Sequence, residues 1–453
     1  MKSKELANDL VGAAGSQSLS RRSFLLAGSA SLLASQLPLN AAAESPKLAV
    51  LGGEKTVKSK NAAWVRWGAP ELERLTQTIS QDTLFYWKGP QTKALIERFQ
   101  QHHPLKHVMT CSSGTAAIHI AVAAAGIGPG DEVITTGISD IGTVTGILFQ
   151  QGVPVFADLE RGTANLSVEA VRKAITPRTK AIIAVHLTGN PCDLKGLKAL
   201  ADQHQLVLIE DCAQAWGAKY QGKPVGTVGH LACFSLQNSK QVASGDGGIV
   251  ASNDERFGPL LQPFGDKGMD RVSGGFDKTA VLATNYRMSE PQAAIAAAQL
   301  DRLEGIASKR SRLGTLLTEG IQGLPAITAP RVDAGNRSTY WFYFAMFNPS
   351  RSSVSRAEFV KALVAEGVPA SPGYIPIPIY RMPLFQNHAF FAGKWPIKDL
   401  GLTTMDYRKV TCETTEMILR DGIQFRINES MSEEFIREVG QAVRKVSSHY
   451  AKS

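Results

Sequence analysis

The segment CFSLQNSK, residues 233–240, joins an apolar, strand-like run to a loop that ends on Lys240. A glycine-rich turn, GDGG at residues 245–248, follows and leads the chain into a second apolar run. A lysine held beside an aldehyde forms an imine, and burial lowers its pKa from an ordinary value of about 10.4. Because a single lysine is usually solvated, Lys240 becomes a candidate nucleophile only in the company of other groups.

A second group with a possible role in chemistry lies upstream, where SSGT at residues 112–115 separates a strand-like run from an Ala-rich helical one. The N-terminus of a helix presents free N–H groups and a positive dipole, and it binds phosphate well. Ser113, Gly114 and Thr115 are therefore candidate anion ligands. Helix capping alone is the more common role for such a hydroxyl residue.

A carboxylate ends the apolar run VLIED at residues 207–211. Ligands of open α/β sheets bind beyond the carboxyl ends of the strands. Asp211 is placed there to pair with a protonated ring nitrogen and make a cofactor ring a better electron sink. Side chains alternate along a strand, so Glu210 is expected to face the opposite side. The alternative is that Asp211 only caps the next turn.

Short β-branched runs alternate with helical segments from residue 91 to residue 307. This alternation predicts an α/β fold with a mostly parallel, doubly wound sheet in a large domain. A long Ala-rich helix is predicted at residues 291–306. We expect residues 44–90 to form an N-terminal arm and residues 308–453 to form a smaller C-terminal α+β domain.

The first 43 residues are expected to lie outside the fold. Residues 20–26, SRRSFLL, resemble a twin-arginine export signal, and an apolar run and a small-residue cleavage site at 41–43 follow. A short surface helix is the alternative. The run is too short and too Ser-rich for a membrane span. The prediction is a periplasmic or otherwise exported protein that folds before export.

Composition narrows the range of partners. The chain is 43% hydrophobic with a net charge of +9, but its cations are scattered rather than clustered. Nucleic acid is therefore not an expected partner. The five cysteines have no CxxC spacing, so neither a disulfide framework nor a metal site is predicted.

An anion-binding turn, a strand-end aspartate and a loop lysine follow in the order found in fold-type-I pyridoxal 5'-phosphate (PLP) enzymes. The chain resembles the DegT/DnrJ/EryC1/StrS family of PLP-dependent sugar aminotransferases. Seven stretches between residues 112 and 300 carry the resemblance: SSGTAAIHIAV, GPGDEVITT, GVPVFADLE, ITPRTKAIIAVHLTGNPCDL, VLIEDCAQAWGAKYQGKPVGT, FSLQNSKQVASGDGG and NYRMSEPQAAIAAAQL.

The resemblance implies a role for each matching residue. Lys240 would hold PLP and act as general acid and base. Asp211 would pair with the pyridine nitrogen, and Gln214 would approach the phenolic oxygen. The phosphate would be held by the SSGT turn, Ser113 to Thr115, and by Ser235.

Further positions are implied for the cofactor and the substrates. Asn285 would reach the phosphate of a neighbouring subunit, which implies a homodimer with shared sites. Arg287, Trp87 and His186 are candidate substrate ligands, although a salt bridge, a hydrophobic anchor and a packed histidine are alternatives. Many family members have an aromatic residue that stacks on the PLP ring at the position of Asp140. Asp140 therefore departs from the family pattern at a place that the resemblance puts beside the cofactor.

The implied reaction moves an amino group from glutamate or glutamine to a keto-sugar or keto-cyclitol. The segments ISDIGT and FSLQ favour a branch near the inosose and aminohydroxybenzoate enzymes. A PLP-dependent sugar dehydratase or deoxygenase is the first alternative, although His replaces the lysine in the related dehydratase. A non-catalytic sensor or scaffold with this fold is the second alternative.

Overall fold

The computed structural model describes residues 47–272, 274, 279 and 281–452. The predicted export signal lies outside these residues. The β-strands are β1 (His107–Cys111), β2 (Glu132–Thr136), β3 (Val153–Ala157), β4 (Thr179–Val185), β5 (Val207–Asp211), β6 (Lys219–Tyr220), β7 (Lys223–Pro224), β8 (Leu231–Ser235), β9 (Gly248–Ser252), β10 (Ile327–Thr328), β11 (Tyr343–Phe347), β12 (Ala370–Pro372) and β13 (Gly422–Phe425).

The α-helices of the described residues follow the same chain order. They are α1 (Ala69–Ile79), α2 (Pro90–His102), α3 (Gly114–Ala124), α4 (Gly142–Phe149), α5 (Val168–Ala174), α6 (Leu194–Gln203), α7 (Leu261–Gly265), α8 (Glu290–Leu300), α9 (Leu303–Ile321), α10 (Arg356–Ala365), α11 (Pro383–Gln386), α12 (Pro396–Asp399), α13 (Glu413–Asp421) and α14 (Glu433–His449).

Seven strands form the central sheet in the order β1-β9-β8-β5-β4-β2-β3. The neighbours from β8 to β3 are parallel, whereas β9 is antiparallel to both β1 and β8. Every residue of β2, β8 and β9 is buried, as expected for strands covered on both faces. The predicted fold class is confirmed. The carboxyl ends of β2, β4, β5 and β8 lie at one edge, where the candidate groups follow them.

A second, four-stranded antiparallel sheet has the order β10-β11-β13-β12. Helices α9, α10 and α14 pack with it around an apolar cluster that includes Tyr343, Phe359 and Phe425. This is the smaller α+β part of the fold. The predicted domain boundary between residues 307 and 308 falls within α9, and the division into domains stays a prediction.

The helix predicted at residues 291–306 is two helices, α8 and α9, separated by a turn at Asp301 and Arg302. The Asp301 carboxylate accepts a hydrogen bond from Arg98 Nε of α2 (2.7 Å), and Arg302 Nη2 donates to Glu71 of α1 (2.5 Å). Helical periodicity carries no information about these distant partners, so the sequence pattern did not reveal the break.

Two further observations concern the described residues. Within the described part, no helix combines the length and the apolar character that crossing a membrane requires. All five cysteines lie in the described residues, where they are buried and form no disulfide.

Candidate active site

A cavity of about 320 Å³ opens at the carboxyl edge of the parallel strands. Its walls come from the segments that follow β1, β2, β5 and β8, and from Trp341, which precedes β11. Ligands of open α/β sheets bind at such an edge. Of the predicted site residues, it brings together Ser113, Gly114, Thr115, Asp140, Asp211, Gln214, Ser235 and Lys240.

Lys240 is almost enclosed, with 8% of its surface exposed. Burial lowers the pKa of Lys240 to about 8, and the charges of Asp211 and Asp140 act against this shift. Its Nζ lies 3.9 Å from the centroid of the Trp341 ring. Part of an amine population with this pKa is neutral near pH 7, and the neutral amine is the form that attacks an aldehyde. The environment of Lys240 therefore suits a nucleophile.

Asp211 is fixed at the end of β5 by two hydrogen bonds. Thr143 Oγ1 donates to its Oδ2 (2.9 Å), and the main-chain N–H of Ala213 donates to its Oδ1 (3.1 Å). Burial raises the pKa of Asp211 above its ordinary value, and these hydrogen bonds and the charge of Lys240 offset only part of the rise. As predicted from strand alternation, Glu210 faces away, where Gly226 N donates to its Oε2 (2.6 Å).

The N-terminus of α3 and Ser235 form a concave polar surface. Ser113 caps α3, since its Oγ accepts a hydrogen bond from Ala116 N (3.0 Å). The predicted capping role is thus present, and the first N–H groups of the helix, those of Gly114 and Thr115, have no intrahelical acceptor. A Cβ on Gly114 would lie only 2.7 Å from Ser235 Cβ, so a side chain there would close the surface.

These groups fit PLP. The cavity offers a lysine for the aldehyde, a carboxylate for the ring nitrogen and a helix N-terminus for the phosphate. Gln214 Oε1 is buried without a hydrogen-bond partner in the described residues, although Gln214 Nε2 donates to Tyr374 OH (3.2 Å). A hydroxyl group of a bound cofactor would satisfy that oxygen by donating a hydrogen bond to it.

Asp140 lines the cavity with an exposed side chain, and its Oδ1 accepts a hydrogen bond from Gly142 N (2.8 Å) at the start of α4. The aromatic ring in this cavity comes instead from Trp341, which was not among the predicted site residues. The aromatic run that forms β11 is typical of a strand, but strand periodicity does not reveal which neighbouring residue reaches the cavity. Thr143 was also absent from the predicted site residues, although it belongs to the ISDIGT segment that resembles the family.

Four predicted residues lie outside this cavity in the single chain. Trp87 lines a larger groove of about 700 Å³, which contains neither Lys240 nor Asp211. Asn285 is exposed, and its Oδ1 accepts a hydrogen bond from Arg287 Nε (2.8 Å). Arg287 also lies near Asp266, at 3.6 Å. The roles given to these three residues stay predictions.

His186 does not fit its predicted role as a substrate ligand, because it is completely buried. Its Nε2 lies 3.0 Å from Glu210 Oε2, and its Nδ1 accepts a hydrogen bond from Cys192 N (3.1 Å). His186, Glu210 and Cys212 offer ligand atoms within 4.8 Å of one another. Both Glu210 oxygens accept main-chain N–H groups, of Gly226 and of Val228, so hydrogen bonds satisfy this cluster.

Arg66 of the N-terminal arm holds the loop that carries Lys240. Its guanidinium donates to the carbonyl oxygens of Asn238 and Lys240, and it lies over the ring of Trp64 (4.4 Å). Burial lowers the pKa of Arg66 to about 10, which leaves it charged at neutral pH. Nothing in the local sequence connects an arm residue with a loop more than 170 residues away.

We expect Arg66→Met to weaken PLP binding by roughly tenfold, because the charge-assisted hydrogen bonds that hold the Lys240 loop are lost. Lys60→Met is the matched control, since Lys60 is an exposed cation of the same arm. Equilibrium titration of both purified variants with PLP measures the effect. Equal affinities of the two variants would show that Arg66 does not position Lys240.

The lowered pKa of Lys240 sets the pH dependence of cofactor loading. Because the neutral amine attacks the aldehyde, the loading rate should rise with pH up to about 8 and level off above it. The measurement is the growth of the PLP absorbance band after mixing with cofactor-free protein, from about pH 6 to about pH 10. A rate that still rises steeply at the upper end would indicate a lysine with an ordinary pKa.

The fold and the site define the class, that of fold-type-I aminotransferases, and the solved structures agree. The structure of 3-amino-5-hydroxybenzoic acid synthase superposes with a TM-score of 0.75, at 26% identity over 86% of this chain and 99% of that one. The model of the DegT/DnrJ/EryC1/StrS aminotransferase family matches residues 67–444. The chain belongs to this family.

Two relatives show the range of the family around this chain. The L-glutamine:2-deoxy-scyllo-inosose aminotransferase of Streptomyces paromomycinus is 34% identical over 352 residues, which cover 73% of this chain and 81% of the relative. The GDP-perosamine synthase of Caulobacter vibrioides is 34% identical over 282 residues, 62% of this chain and 75% of the relative. The percentage identity to this chain is thus the same for both relatives, although the inosose aminotransferase matches over the longer stretch.

Proposed function

We propose that this chain uses PLP to move an amino group from glutamate or glutamine to a keto-sugar or keto-cyclitol. The observation that carries the proposal is the enclosure of Lys240, with its lowered pKa, in one cavity with Asp211 and the N-terminus of α3. The inosose aminotransferase and the GDP-perosamine synthase among the relatives support a cyclic, hydroxylated acceptor.

Bound PLP supplies an electron sink for the carbon that loses its proton. The residues of the chain prepare that chemistry. Lys240 would hold the cofactor and, as a neutral amine, accept and return a proton at its Nζ. Asp211, held by Thr143 and Ala213, would keep a proton on the ring nitrogen. A lysine in this cavity supports amino transfer over the dehydratase alternative.

Absorbance spectroscopy tests the reaction in two halves. The PLP-loaded protein should show a lysine-linked band that borohydride fixes. Addition of L-glutamate or L-glutamine should convert the band to that of the amine form, and 2-deoxy-scyllo-inosose or a nucleotide-linked keto-sugar should restore it. The proposal fails if no lysine-linked band forms, or if neither amino donor changes it.

The same experiment ranks the acceptors. The predicted branch near the inosose and aminohydroxybenzoate enzymes implies that 2-deoxy-scyllo-inosose restores the band faster than a nucleotide-linked keto-sugar. The reverse order would assign the chain to nucleotide-sugar chemistry. Either result is consistent with an aminotransferase reaction, so this comparison identifies only which ketone is the acceptor.

We also propose a homodimer with shared sites. In support, Asn285 lies exposed next to the end of β1, where Ser112 N donates to the carbonyl of Tyr286 (2.7 Å). Mixing the inactive variants Lys240→Ala and Asn285→Ala tests this, because a mixed dimer would regain one intact site. No recovery after unfolding and refolding the two variants together, with wild type as the refolding control, would contradict shared sites.

Export by the twin-arginine route is a separate proposal, supported by the SRRSFLL segment at residues 20–26. Arg21→Lys combined with Arg22→Lys should keep the protein in the cytoplasm, because the route reads the arginine pair. Cell fractionation of both forms measures this. An unchanged distribution would overturn the proposal.

A further inference from the structure

We infer that Trp341 is the aromatic platform on which the ring of the acceptor stacks, and that it determines specificity for cyclic ketones. The inference rests on the proposed function. It begins from two facts about the cavity: position 140 provides a carboxylate instead of a ring, and an indole from the second sheet lines the same space as Lys240.

The indole is held in one orientation. Its Nε1 donates a hydrogen bond to the carbonyl oxygen of Ser239 (2.8 Å), next to Lys240. The ring of Tyr374 meets it edge-on, with centroids 5.7 Å apart and an interplanar angle of 87°, and Phe342 packs on it at 5.2 Å. A ring restrained in this way binds a ligand with little loss of rotamer entropy.

The face of the indole that Lys240 approaches lies in the cavity, where the proposed chemistry would take place. Trp341 is only partly buried, and its ring centroid is 3.9 Å from Lys240 Nζ. A ketone that accepts its amino group beside Lys240 would therefore lie next to the indole ring. The negative face of an aromatic ring attracts the C–H groups of a sugar or cyclitol, which carry slight positive charge.

Asp140 adds the polar half of such a site. Its carboxylate is exposed in the same cavity, and its charge acts on both Lys240 and Tyr374. One Asp140 oxygen accepts Gly142 N, and a carboxylate has further acceptor capacity for hydroxyl groups. An apolar face beside a hydroxyl acceptor suits a polyhydroxylated ring. An open-chain amino donor has no ring to stack, so it does not need the platform.

A different role for Trp341 would give a different result. If the ring served only to stabilise the ammonium form of Lys240 through its π face, its loss would affect both half-reactions alike. The amino donor and the ketone meet the same lysine, but only the ketone carries a ring. The two half-reactions therefore separate the roles.

The test compares Trp341→Phe with Trp341→Leu. Both variants lose the indole N–H, and only Trp341→Phe keeps an aromatic face. Stopped-flow absorbance measures conversion of the PLP band by L-glutamine and, separately, its restoration by 2-deoxy-scyllo-inosose and by a nucleotide-linked keto-sugar. For the better ketone, Trp341→Leu should lower kcat/KM by about tenfold, mainly through KM, and Trp341→Phe by about threefold or less.

The L-glutamine half-reaction should fall by a similar factor in both variants, because both lose the hydrogen bond to Ser239, and in Trp341→Leu the ketone half-reaction should fall at least about threefold further. Equal losses in both half-reactions would overturn the inference, as would unchanged ketone kinetics in Trp341→Leu or equal ketone defects in the two variants. Failure of the proposed function would give a different result, because the wild-type protein itself would then react with no amino donor or with no ketone. The inference about Trp341 would be overturned together with the proposed function.

Discussion

Lys240→Ala is expected to abolish amino transfer, with a loss of at least about a thousandfold in kcat, because among the described residues no other lysine lines the cavity to link to the cofactor or carry the proton there. The variant should still bind PLP, since Asp211 and the N-terminus of α3 remain. Its absorbance band should no longer be fixed to the protein by borohydride. Mass spectrometry after reduction and proteolysis would assign the modified peptide in the wild type.

Folding should not explain the loss. Burial disfavours the charged form of Lys240, so its removal relieves a desolvation cost, and the melting temperature of the variant should not fall. Lys223→Ala is the matched control, because Lys223 is an exposed lysine of the short strand β7. Retention of a borohydride-fixed band in Lys240→Ala would show that another lysine binds PLP and would end the proposed assignment.

Asp211→Asn is expected to lower turnover by about 10²–10³-fold, the range typical for loss of one fixed electrostatic partner of a reacting group. Asparagine cannot balance the charge of a protonated ring nitrogen, so the bound cofactor would be a poorer electron sink. The borohydride-fixed band should still form, because Lys240 is intact. Single-turnover rates with L-glutamine measure the effect without a ketone.

The same substitution should shift the pH dependence of loading. The negative charge of Asp211 raises the pKa of Lys240, so its removal lowers that pKa further below its present value. The loading rate should therefore level off at a lower pH in Asp211→Asn than in the wild type. A curve that moves to higher pH would contradict this effect of the Asp211 charge on the pKa of Lys240.

Glu210→Gln is the matched control for Asp211→Asn. The two carboxylates are adjacent in the chain but face opposite sides of β5, and Glu210 accepts main-chain N–H groups of Gly226 and Val228. Its loss should lower the free energy of unfolding by about 1.5–3 kcal/mol while the chemistry is largely kept. If Glu210→Gln instead lost turnover as severely as Asp211→Asn, the special role of Asp211 would be refuted.

Much of the fold and of the candidate site could be predicted from local sequence. The apolar run VLIED became the buried parallel strand β5, because such a strand needs continuous apolar residues. Lys240, Asp211 and the SSGT turn could be grouped because each lies at the end of a strand or in the loop after it, and strand ends of an α/β sheet converge at one edge.

Other residues could not be predicted in this way. Thr143 supports Asp211 from the start of α4, Arg66 holds the Lys240 loop from the arm, and Trp341 enters the cavity from the segment before β11. Each contact joins parts of the chain that are far apart in sequence. His186 shows the reverse case: its place after a strand end suggested the pocket, whereas its burial beside Glu210 favours the alternative of a packed histidine.

The sequence by itself thus determined the class of fold and the groups that approach a cofactor, because hydrophobic periodicity and strand-end position are local properties. Only the tertiary structure decided how Lys240 is enclosed, which ring faces it and what holds its loop. Those features depend on the packing of the arm and of the second sheet onto the first, and no local pattern of residues encodes which distant side chains meet.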